Sequence, residues 1–353
     1  MQARIAYGLA TLAGLLAERN YRRLDALDLE GESGEGDVSI VVPARNEASN
    51  LPRLLESLGR LKHRPREVVV VDDGSSDGTG WLADSHGARV IRVDMLPNGW
   101  TGKAFACHTG ARDTAGEWIL FTDADTAHAA RSLGAALQAA QARNADVLSL
   151  LCRQECGTFW ERVLLPYAYF LYFAGASGLN GNSRTAVANG QYILCRRKAY
   201  EDFGGHAAVR SSLIEDVDLA RRAAAAGYRV VLLRGEALVR VRMYRGLFGI
   251  WEGFGKNSFR LVRASPRTGT LTALTAVAFL SCAVQMGRYS GRDRLLLLIA
   301  PSLSIAPWYR RFGVPGWFSL LHPVAALVFQ GIALDAIRRT FRSGRTSWKG
   351  RRY

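Results

Sequence analysis

Glu117-Trp118-Ile119-Leu120-Phe121-Thr122-Asp123-Ala124-Asp125-Thr126 is the stretch on which the reading of this 353-residue chain turns. A short apolar run of this kind reads as a buried strand. Two carboxylates, one residue apart, stand where it ends. In open α/β sheets ligands bind beyond the carboxyl ends of the strands, which is where reactive carboxylates are useful. Side chains at i and i+2 of an extended segment share a face, so Asp123 and Asp125 are expected to approach one cation together. Hard cations such as Mg²⁺ or Mn²⁺ take oxygen ligands, commonly a carboxylate or two plus substrate phosphates. An isolated Asp-x-Asp is more often a solvated turn, so the surrounding sequence has to carry the argument.

Residues 38–245 alternate strand-like and helix-like segments. Val38 to Pro43 is a β-branched run, and Glu47 to Leu61 spaces Leu51, Leu54, Leu55 and Leu58 as one face of a helix. Glu67 to Val71 reads as a second strand, Trp81 to His86 as a helix and Ala88 to Val93 as a third strand. This alternation predicts an α/β domain with a mainly parallel sheet covered on both faces. The Gly-rich acidic segment from Gly31 to Asp37 reads as the linker into it. The first two strands end in polar loops, Pro43-Ala44-Arg45-Asn46-Glu47 and Asp72-Asp73-Gly74-Ser75. Acidic groups there can accept hydrogen bonds from a base N–H or ribose hydroxyls, and glycine lets backbone approach a ligand. Asp-Asp-Gly-Ser alone is equally a good turn and helix cap.

Two further segments carry chemistry. Lys103, after Gly102, can neutralise phosphate as a compact point charge, although a solvated surface lysine is the default for such a residue. Nearby His108 is read evenly as a ligand contact or a helix-packing residue. Glu215-Asp216, in Ser212-Leu213-Ile214-Glu215-Asp216-Val217-Asp218, offers a carboxylate that could take a proton from an attacking hydroxyl. The same acids suit the first turn of a helix, and both roles can hold at once. Gln191 and His206 stand just before this segment, after Gly190 and Gly205, and are expected to shape an acceptor entrance.

Charge is uneven along the chain, which carries +15 in all. Residues 251–353 hold 16 basic and 3 acidic side chains, while residues 1–37 hold 4 basic and 7 acidic. Basic residues flanking apolar runs point to an anionic membrane surface rather than to nucleic acid, for which no signature is present. The five cysteines are scattered without a Cys-x-x-Cys pair, which argues against a disulfide framework and fits a reducing compartment.

Residues 3–17 are apolar but short for a span, so an interfacial or partly inserted anchor is expected. Residues 269–287 and 314–334 are long enough to cross a bilayer. Residues 295–309 are broken by Pro301 and Pro307 and are expected to be re-entrant or interfacial. The Arg-rich tail from Arg338 should stay cytoplasmic.

With these motifs in order, the chain resembles the family 2 glycosyltransferases of the GT-A fold over about residues 38–260. The resemblance rests on Pro43 to Glu47, Val71 to Thr79, Gly102-Lys103-Ala104, Asp123-Ala124-Asp125 and Glu215-Asp216. It implies an inverting transferase that uses a nucleotide-diphosphate sugar, with UDP-glucose the expected donor, and Mg²⁺ or Mn²⁺. By position it puts Pro43, Glu47, Asp73, Lys103 and Asp123 at the donor nucleotide, and Asp125 with Asp123 at the metal. Asp216 would be the base, with Glu215, Gln191 and His206 on the acceptor side. Processive members carry Gln-x-x-Arg-Trp after the base; Trp251 to Arg260 lacks it and suits an interface helix, which favours one transfer to a lipid. The start Trp100-Thr101-Gly102-Lys103, the Asp-Ala-Asp-Thr strand end and the Trp348-Lys349-Gly350-Arg351 tail are similar to bacterial membrane glycosyltransferases that modify carotenoids.

The expectation is therefore a 1–37 anchor and linker, a 38–250 GT-A catalytic domain, and 251–353 as interfacial and transmembrane helices with a basic tail. The catalytic domain would face the cytoplasm at a bacterial inner membrane. A hopanoid, polyprenyl-phosphate or ceramide-type acceptor is an alternative. A nucleotidyltransferase would want a Gly-rich basic loop after the first strand. A silent membrane scaffold would have no use for Asp73, Asp123, Asp125 and Asp216 together.

Overall fold

The computed structural model describes residues 2–28, 34–176, 185–264, 266–343, 347–348 and 351–352, with side chains described outside 256–266 and 340–353. Among the described residues, ten strands lie between 38 and 241: β1 (Val38–Ala44), β2 (Glu67–Asp72), β3 (Arg89–Arg92), β4 (Trp118–Thr122), β5 (Thr126–His128), β6 (Val147–Leu151), β7 (Arg153–Gln154), β8 (Tyr192–Arg196), β9 (Val230–Arg234) and β10 (Val239–Val241). Seven form one sheet in the order β3-β2-β1-β4-β8-β6-β9. β1 pairs in parallel with β2 and β4, as do β2 with β3 and β6 with β9. Only β8 runs against its neighbours, β4 and β6. The mainly parallel α/β sheet expected from the alternation is thus present.

The pleat divides the strand residues between two cores. Ile40, Val42, Val70, Trp118 and Leu120 face a layer that includes Leu51, Leu54 and Leu58 of helix α2 (Leu51–Gly59). Val41, Val69, Val71, Ile119 and Phe121 face a layer with Ala106 and Cys107 from helix α4 (Gly102–Arg112) and Leu219 and Ala223 from α8 (Glu215–Ala225). Other helices here are α3 (Thr79–Ser85), α5 (Ser132–Ala142) and α7 (Arg197–Asp202). Burial on both faces explains why β1, β2 and β4 read as unbroken apolar runs. Reversal of β8 matters for function: its N-terminal end, next to Gly190 and Gln191, lies at the sheet edge where β1, β2 and β4 end.

The chain divides into two compact units, and the division is discontinuous. The sheet unit comprises Leu24–Arg153 and Gly178–Val241; Met1–Arg23, Gln154–Ser177 and Arg242–Tyr353 form the other. This differs from the three consecutive pieces expected, because helix α6 (Phe159–Gly175) belongs with the terminal helices. Its Tyr167, Phe170 and Phe173 are fully buried, meeting Phe279, Phe329 and Trp308.

The helical unit also contains α1 (Gln2–Arg22), α9 (Gly246–Ala264), α10 (Pro266–Gln285), α11 (Gly291–Arg311) and α12 (His322–Ser343). α1 is longer than the anchor expected from residues 3–17; its 21 residues reach about 31 Å at 1.5 Å per residue. It buries Ala3, Ala6, Ala10, Ala13, Gly14 and Ala17, and it exposes Ile5, Leu9, Leu12, Leu15 and Leu16. Large apolar side chains also face outward from α10 and α12, among them Leu274, Val277, Leu327 and Leu334. Arg267–Gln285 and Gly316–Arg339 are long and apolar enough to cross a membrane. The segment expected to be broken by Pro301 and Pro307 is instead one continuous helix, α11. Proline removes a backbone hydrogen bond, yet apolar helices tolerate it where hydroxyls and neighbouring helices serve the freed groups. The carbonyls freed by Pro301 and Pro307 are those of Leu297 and Leu303, whereas the Ser302 and Ser304 hydroxyls donate to Leu298 and Pro301; α11 is held by its packing against α1, α6 and α10. On α9 the Trp251 indole donates to Asp335 of α12 at 2.8 Å. The basic part of the interface-helix expectation, Lys256 and Arg260, and the tail from residue 340 lie outside the described side chains.

Candidate active site

A small cleft opens at the carboxyl edge of β1 and β4, lined by Pro43, Lys103, Asp123, Gly190, Glu215 and Asp216, with His206, Cys107 and Phe121 at its base. Each element delivers its side chain for a local reason. β1 and β4 end there, leaving Pro43 and Asp123 at the rim. α4 starts there after Thr101, so Lys103 sits in its first turn, and α8 starts there with Glu215 and Asp216. Acidic residues in the first turn of α8 are favoured by its dipole, so the bland and the functional readings of Glu215-Asp216 coincide.

Lys103 is the hub. Its Nζ lies 2.7 Å from Asp123 Oδ1 and 3.2 Å from Glu215 Oε1. Burial works against its charge, but Asp123, Glu215 and Asp216 outweigh that and hold its pKa well above the ordinary lysine value. Burial likewise raises Asp123, which Lys103 only partly offsets. Asp216 is pushed up to about 6 by burial and by the neighbouring Glu215 charge, against the pull of Lys103. Both its oxygens accept backbone hydrogen bonds at 2.9 Å, Oδ2 from Gly190 N–H and Oδ1 from Val217 N–H. A side chain at Gly190 would be tight: a Cβ there would stand 3.0 Å from Lys103 Nζ and 3.1 Å from Asp216 Oδ2, so both side chains would have to give slightly.

Asp123 to Thr126 is a turn rather than an extension of β4. Thr126 donates to the Asp123 carbonyl through both N–H and Oγ1, the latter at 2.8 Å. Asp123 and Asp125 therefore do not share a strand face as period-two alternation would have them do. The two carboxylates flank Ala124, which is buried in the core, and they are joined by turn geometry instead of strand periodicity.

The first two strand ends form a connected platform. Asp73 N–H donates to the Ala44 carbonyl at 2.8 Å, and the Arg45 guanidinium donates to the Asp73 carbonyl. Glu47 N–H donates to Thr79 Oγ1, while its carboxylate accepts from Asn50 at 2.8 Å. Asn46 takes a left-handed φ of 53° and accepts from the Ser76 N–H. Asp73 is buried, whereas Pro43 reaches the cleft itself.

On the other side, Gln191 is buried and its amide oxygen accepts from Asn189. His206 is buried with Nδ1 2.9 Å from the Tyr200 hydroxyl, and burial depresses its pKa to about 3. His108, open to two readings in the sequence, stacks against Trp100 with ring centroids 5.0 Å apart. The structure thus brings Pro43, Lys103, Asp123, His206, Glu215 and Asp216 into one cleft. Glu47 and Asp73 stand on the adjoining platform.

Among the described residues no group of three His, Cys, Asp or Glu side chains is assembled to hold a metal. Asp123, engaged by Lys103, and Asp125 are two hard oxygen donors that would hold such an ion. That suits a cation whose coordination is completed by phosphate oxygens, as Mg²⁺ and Mn²⁺ commonly require.

Residues 39–204 match the family described as Glycosyl transferase family 2. The chain carries a family 2 glycosyltransferase domain. This glycosyltransferase is 27% identical to the 4,4'-diaponeurosporenoate glycosyltransferase of Staphylococcus haemolyticus, over 98% of the chain and 96% of the relative. The Staphylococcus aureus protein of the same name is 26% identical over 90% of the chain and 88% of its own. In fold it is similar to the mannosyltransferase PcManGT from Pyrobaculum calidifontis, solved in complex with GDP-Man and Mn2+. That likeness has a TM-score of 0.55 and 19% identity, covering 93% of this chain and 96% of the other. The enzyme class and GT-A fold expected from the motifs are thereby established.

Sequence reasoning left three things unseen. It assigned no hydrogen bonds to Gly190, whose N–H holds Asp216. It passed over Cys107, which is buried against the cleft. It also passed over the polar trio Thr122, Thr126 and His128, whose concentration in an otherwise apolar strand region was the available signal.

Proposed function

We propose that this protein makes a single inverting transfer of a hexose, with UDP-glucose the first donor to test, to a membrane lipid bearing a hydroxyl or carboxyl group. The observation that carries the reading is Asp216: a carboxylate with pKa about 6 in the same cleft as Lys103 and Asp123. In this reading Asp216 takes the proton of an acceptor hydroxyl as its oxygen forms a bond to the anomeric carbon. The bond from that carbon to the diphosphate breaks, and nucleoside diphosphate leaves. Attack and departure on opposite faces invert the anomeric centre. Pro43, Glu47 and Asp73 would line the nucleoside, and Lys103 would exchange its pairing with Asp123 for a phosphate oxygen. Asp125 and Asp123 would hold Mg²⁺ or Mn²⁺, whose charge offsets that developing on the leaving diphosphate. Gln191, Glu215 and His206 would face the acceptor.

A lipid acceptor is supported by the helical unit. Its α1 turns alanines inward and leucines outward, the arrangement expected where hydrocarbon rather than water surrounds a bundle. Among the described residues two helices have spanning length and composition, and the two Staphylococcus relatives above are named for a carotenoid acid. A bacterial inner membrane with the catalytic unit on the cytoplasmic side supplies nucleotide sugar and lipid together. A carboxylate acceptor is already ionised at neutral pH and needs no base, so the two acceptor classes separate by chemistry. Full-length protein in lipid nanodiscs, given UDP-[¹⁴C]glucose and Mn²⁺, is expected to label the chloroform-extractable fraction. Asp216→Asn should abolish labelling of a hydroxyl acceptor and spare a carboxylate one. Undiminished transfer to the hydroxyl in that variant removes Asp216 as base, and label appearing without any divalent cation removes the metal.

A further inference from the structure

A buried polar cluster that the reaction as described does not use starts at the cleft wall, which Thr122 helps to line, and runs behind it. Thr122 ends β4, Thr126 and His128 lie on β5, and all three are buried, His128 to 5% exposure. Thr122 Oγ1 is 2.9 Å from the Gln191 carbonyl, and Thr126 Oγ1 is 2.8 Å from the Asp123 carbonyl. His128 Nε2 sits between the two hydroxyls, 3.0 Å from Thr122 Oγ1 and 3.2 Å from Thr126 Oγ1.

The protons in this cluster can be placed by counting. A carbonyl oxygen only accepts, so each threonine must spend its single hydroxyl proton on its carbonyl. Neither hydroxyl has a proton left for the imidazole or for the other, although the two oxygens are 3.0 Å apart. Nε2 must therefore carry a hydrogen and share it between them, and Nδ1 is the bare nitrogen. Consistent with that tautomer, Nδ1 is buried without a hydrogen-bond partner, and burial depresses the imidazole pKa to about 3. A buried acceptor left bare is unfavourable, which an aliphatic side chain at 128 would avoid. What the histidine supplies in return is a fixed donor. Its backbone N–H is tied to Ser57 of α2 at 2.9 Å, its strand pairs with β10 at Val239, and Tyr192 packs against its ring.

The two carbonyls gripped through the threonines belong to different halves of the cleft. Asp123 begins the carboxylate turn. Gln191 follows Gly190, whose N–H holds Asp216 Oδ2. We propose that His128 is a positioning residue that couples the Asp123 turn to the Gly190–Gln191 loop, so that the donor side and the base keep a fixed separation. The inference rests on reading Asp123 and Asp216 as the two sides of one transfer site. Errors of about 1 Å in such a separation are enough to cost on the order of 100-fold in rate.

The test reads the loops directly, in the full-length protein in detergent micelles without donor or acceptor. Amide hydrogen exchange should speed up about tenfold in both the 123–126 and the 189–192 segments in His128→Phe, and return to within about threefold of wild type in His128→Gln, whose amide nitrogen can reach the Nε2 position. Thr126→Val should loosen only the first segment and Thr122→Val only the second. In the transfer assay His128→Phe should lower kcat about tenfold or more with donor KM within about threefold, and His128→Gln should recover it. Unchanged exchange in either segment of His128→Phe overturns the coupling. So does a glutamine variant as loose as phenylalanine, or loosening spread evenly over the sheet. A wild-type protein that transferred no sugar would sink the transfer reading alone, because the exchange comparison needs no turnover.

Discussion

Asp216→Asn keeps the shape of the side chain and removes its charge, and the structure gives that change a pH signature. The Asp216 pKa is about 6 in the folded protein, against about 3.9 for an aspartate in an unfolded chain. Ionising it in the fold is thus unfavourable by about two pH units, or roughly 3 kcal/mol at 1.36 kcal/mol per unit. The sign follows from the raised value. Below about pH 4 the carboxyl is protonated in both states and contributes nothing; as pH rises to about 6 the unfolded chain ionises first and folding loses stability; above that the loss is complete. Asparagine has no such loss, but it has one acceptor oxygen for the two N–H groups of Gly190 and Val217, a pH-independent cost of about 1–3 kcal/mol. The difference in unfolding free energy, variant minus wild type, should therefore rise by roughly 3 kcal/mol between pH 4 and pH 7.5, whatever its starting value. Denaturant unfolding of the two proteins in the same detergent, followed by tryptophan fluorescence across that range, measures it. A flat difference, or one that falls with pH, refutes the account of the cleft electrostatics. Transfer to a hydroxyl acceptor should drop by about 10²–10⁴ in the same variant.

Lys103→Gln should raise donor KM and move the acid limb of the pH–rate profile upward, since the lysine charge is what restrains the Asp216 pKa; an unmoved limb separates the two groups. About a third of the lysine side chain meets solvent, so its loss should cost about 2 kcal/mol at pH 7.5, below the 3–5 kcal/mol of a fully buried pair, and less at pH 5. Gly190→Ala sets a methyl 3.0 Å from Lys103 Nζ and 3.1 Å from Asp216 Oδ2, and should lower kcat/KM about tenfold with little change in melting temperature, measured by paired kinetics and calorimetry. Gly14→Leu drives a side chain into Ser304, where a Cβ alone would already stand 2.2 Å from Oγ. It should destabilise the α1–α11 packing by at least about 1–3 kcal/mol and lower detergent stability; tolerance of leucine there would contradict the small-inward face of α1.

The α/β alternation, the mainly parallel sheet and most of the cleft were legible in the sequence, because buried parallel strands and amphipathic helices leave strong periodic signals. Pro43, Lys103, Asp123, Glu215 and Asp216 stood at strand ends and helix starts, where chemistry and local geometry point the same way. The turn at Asp123–Thr126 was not legible, since a period-two argument assumes the strand continues. The unbroken α11 was hidden because two prolines ordinarily end a helix, and the neighbouring helices that pack against it are not visible in one dimension. The assignment of α6 to the helical unit was hidden for a different reason: an apolar helix in the middle of an α/β domain looks the same whichever core receives it. The Thr122–Thr126–His128 cluster depends on tertiary register alone.

That middle helix has a practical consequence for anyone trying to obtain the enzyme without its apolar helices. Cutting the chain before residue 24 and after residue 241 would remove α1 and α9 to α12 but leave α6 in place, between β7 and β8. Tyr167, Phe170 and Phe173 would lose the aromatic rings they pack against. Because β8 is the reversed strand at the heart of the sheet, the loop that carries α6 cannot simply be dropped either; it has to be replaced by a linker joining residue 153 to residue 178. A water-soluble catalytic unit is therefore an internal excision, and trimming the two termini should instead give an aggregating fragment.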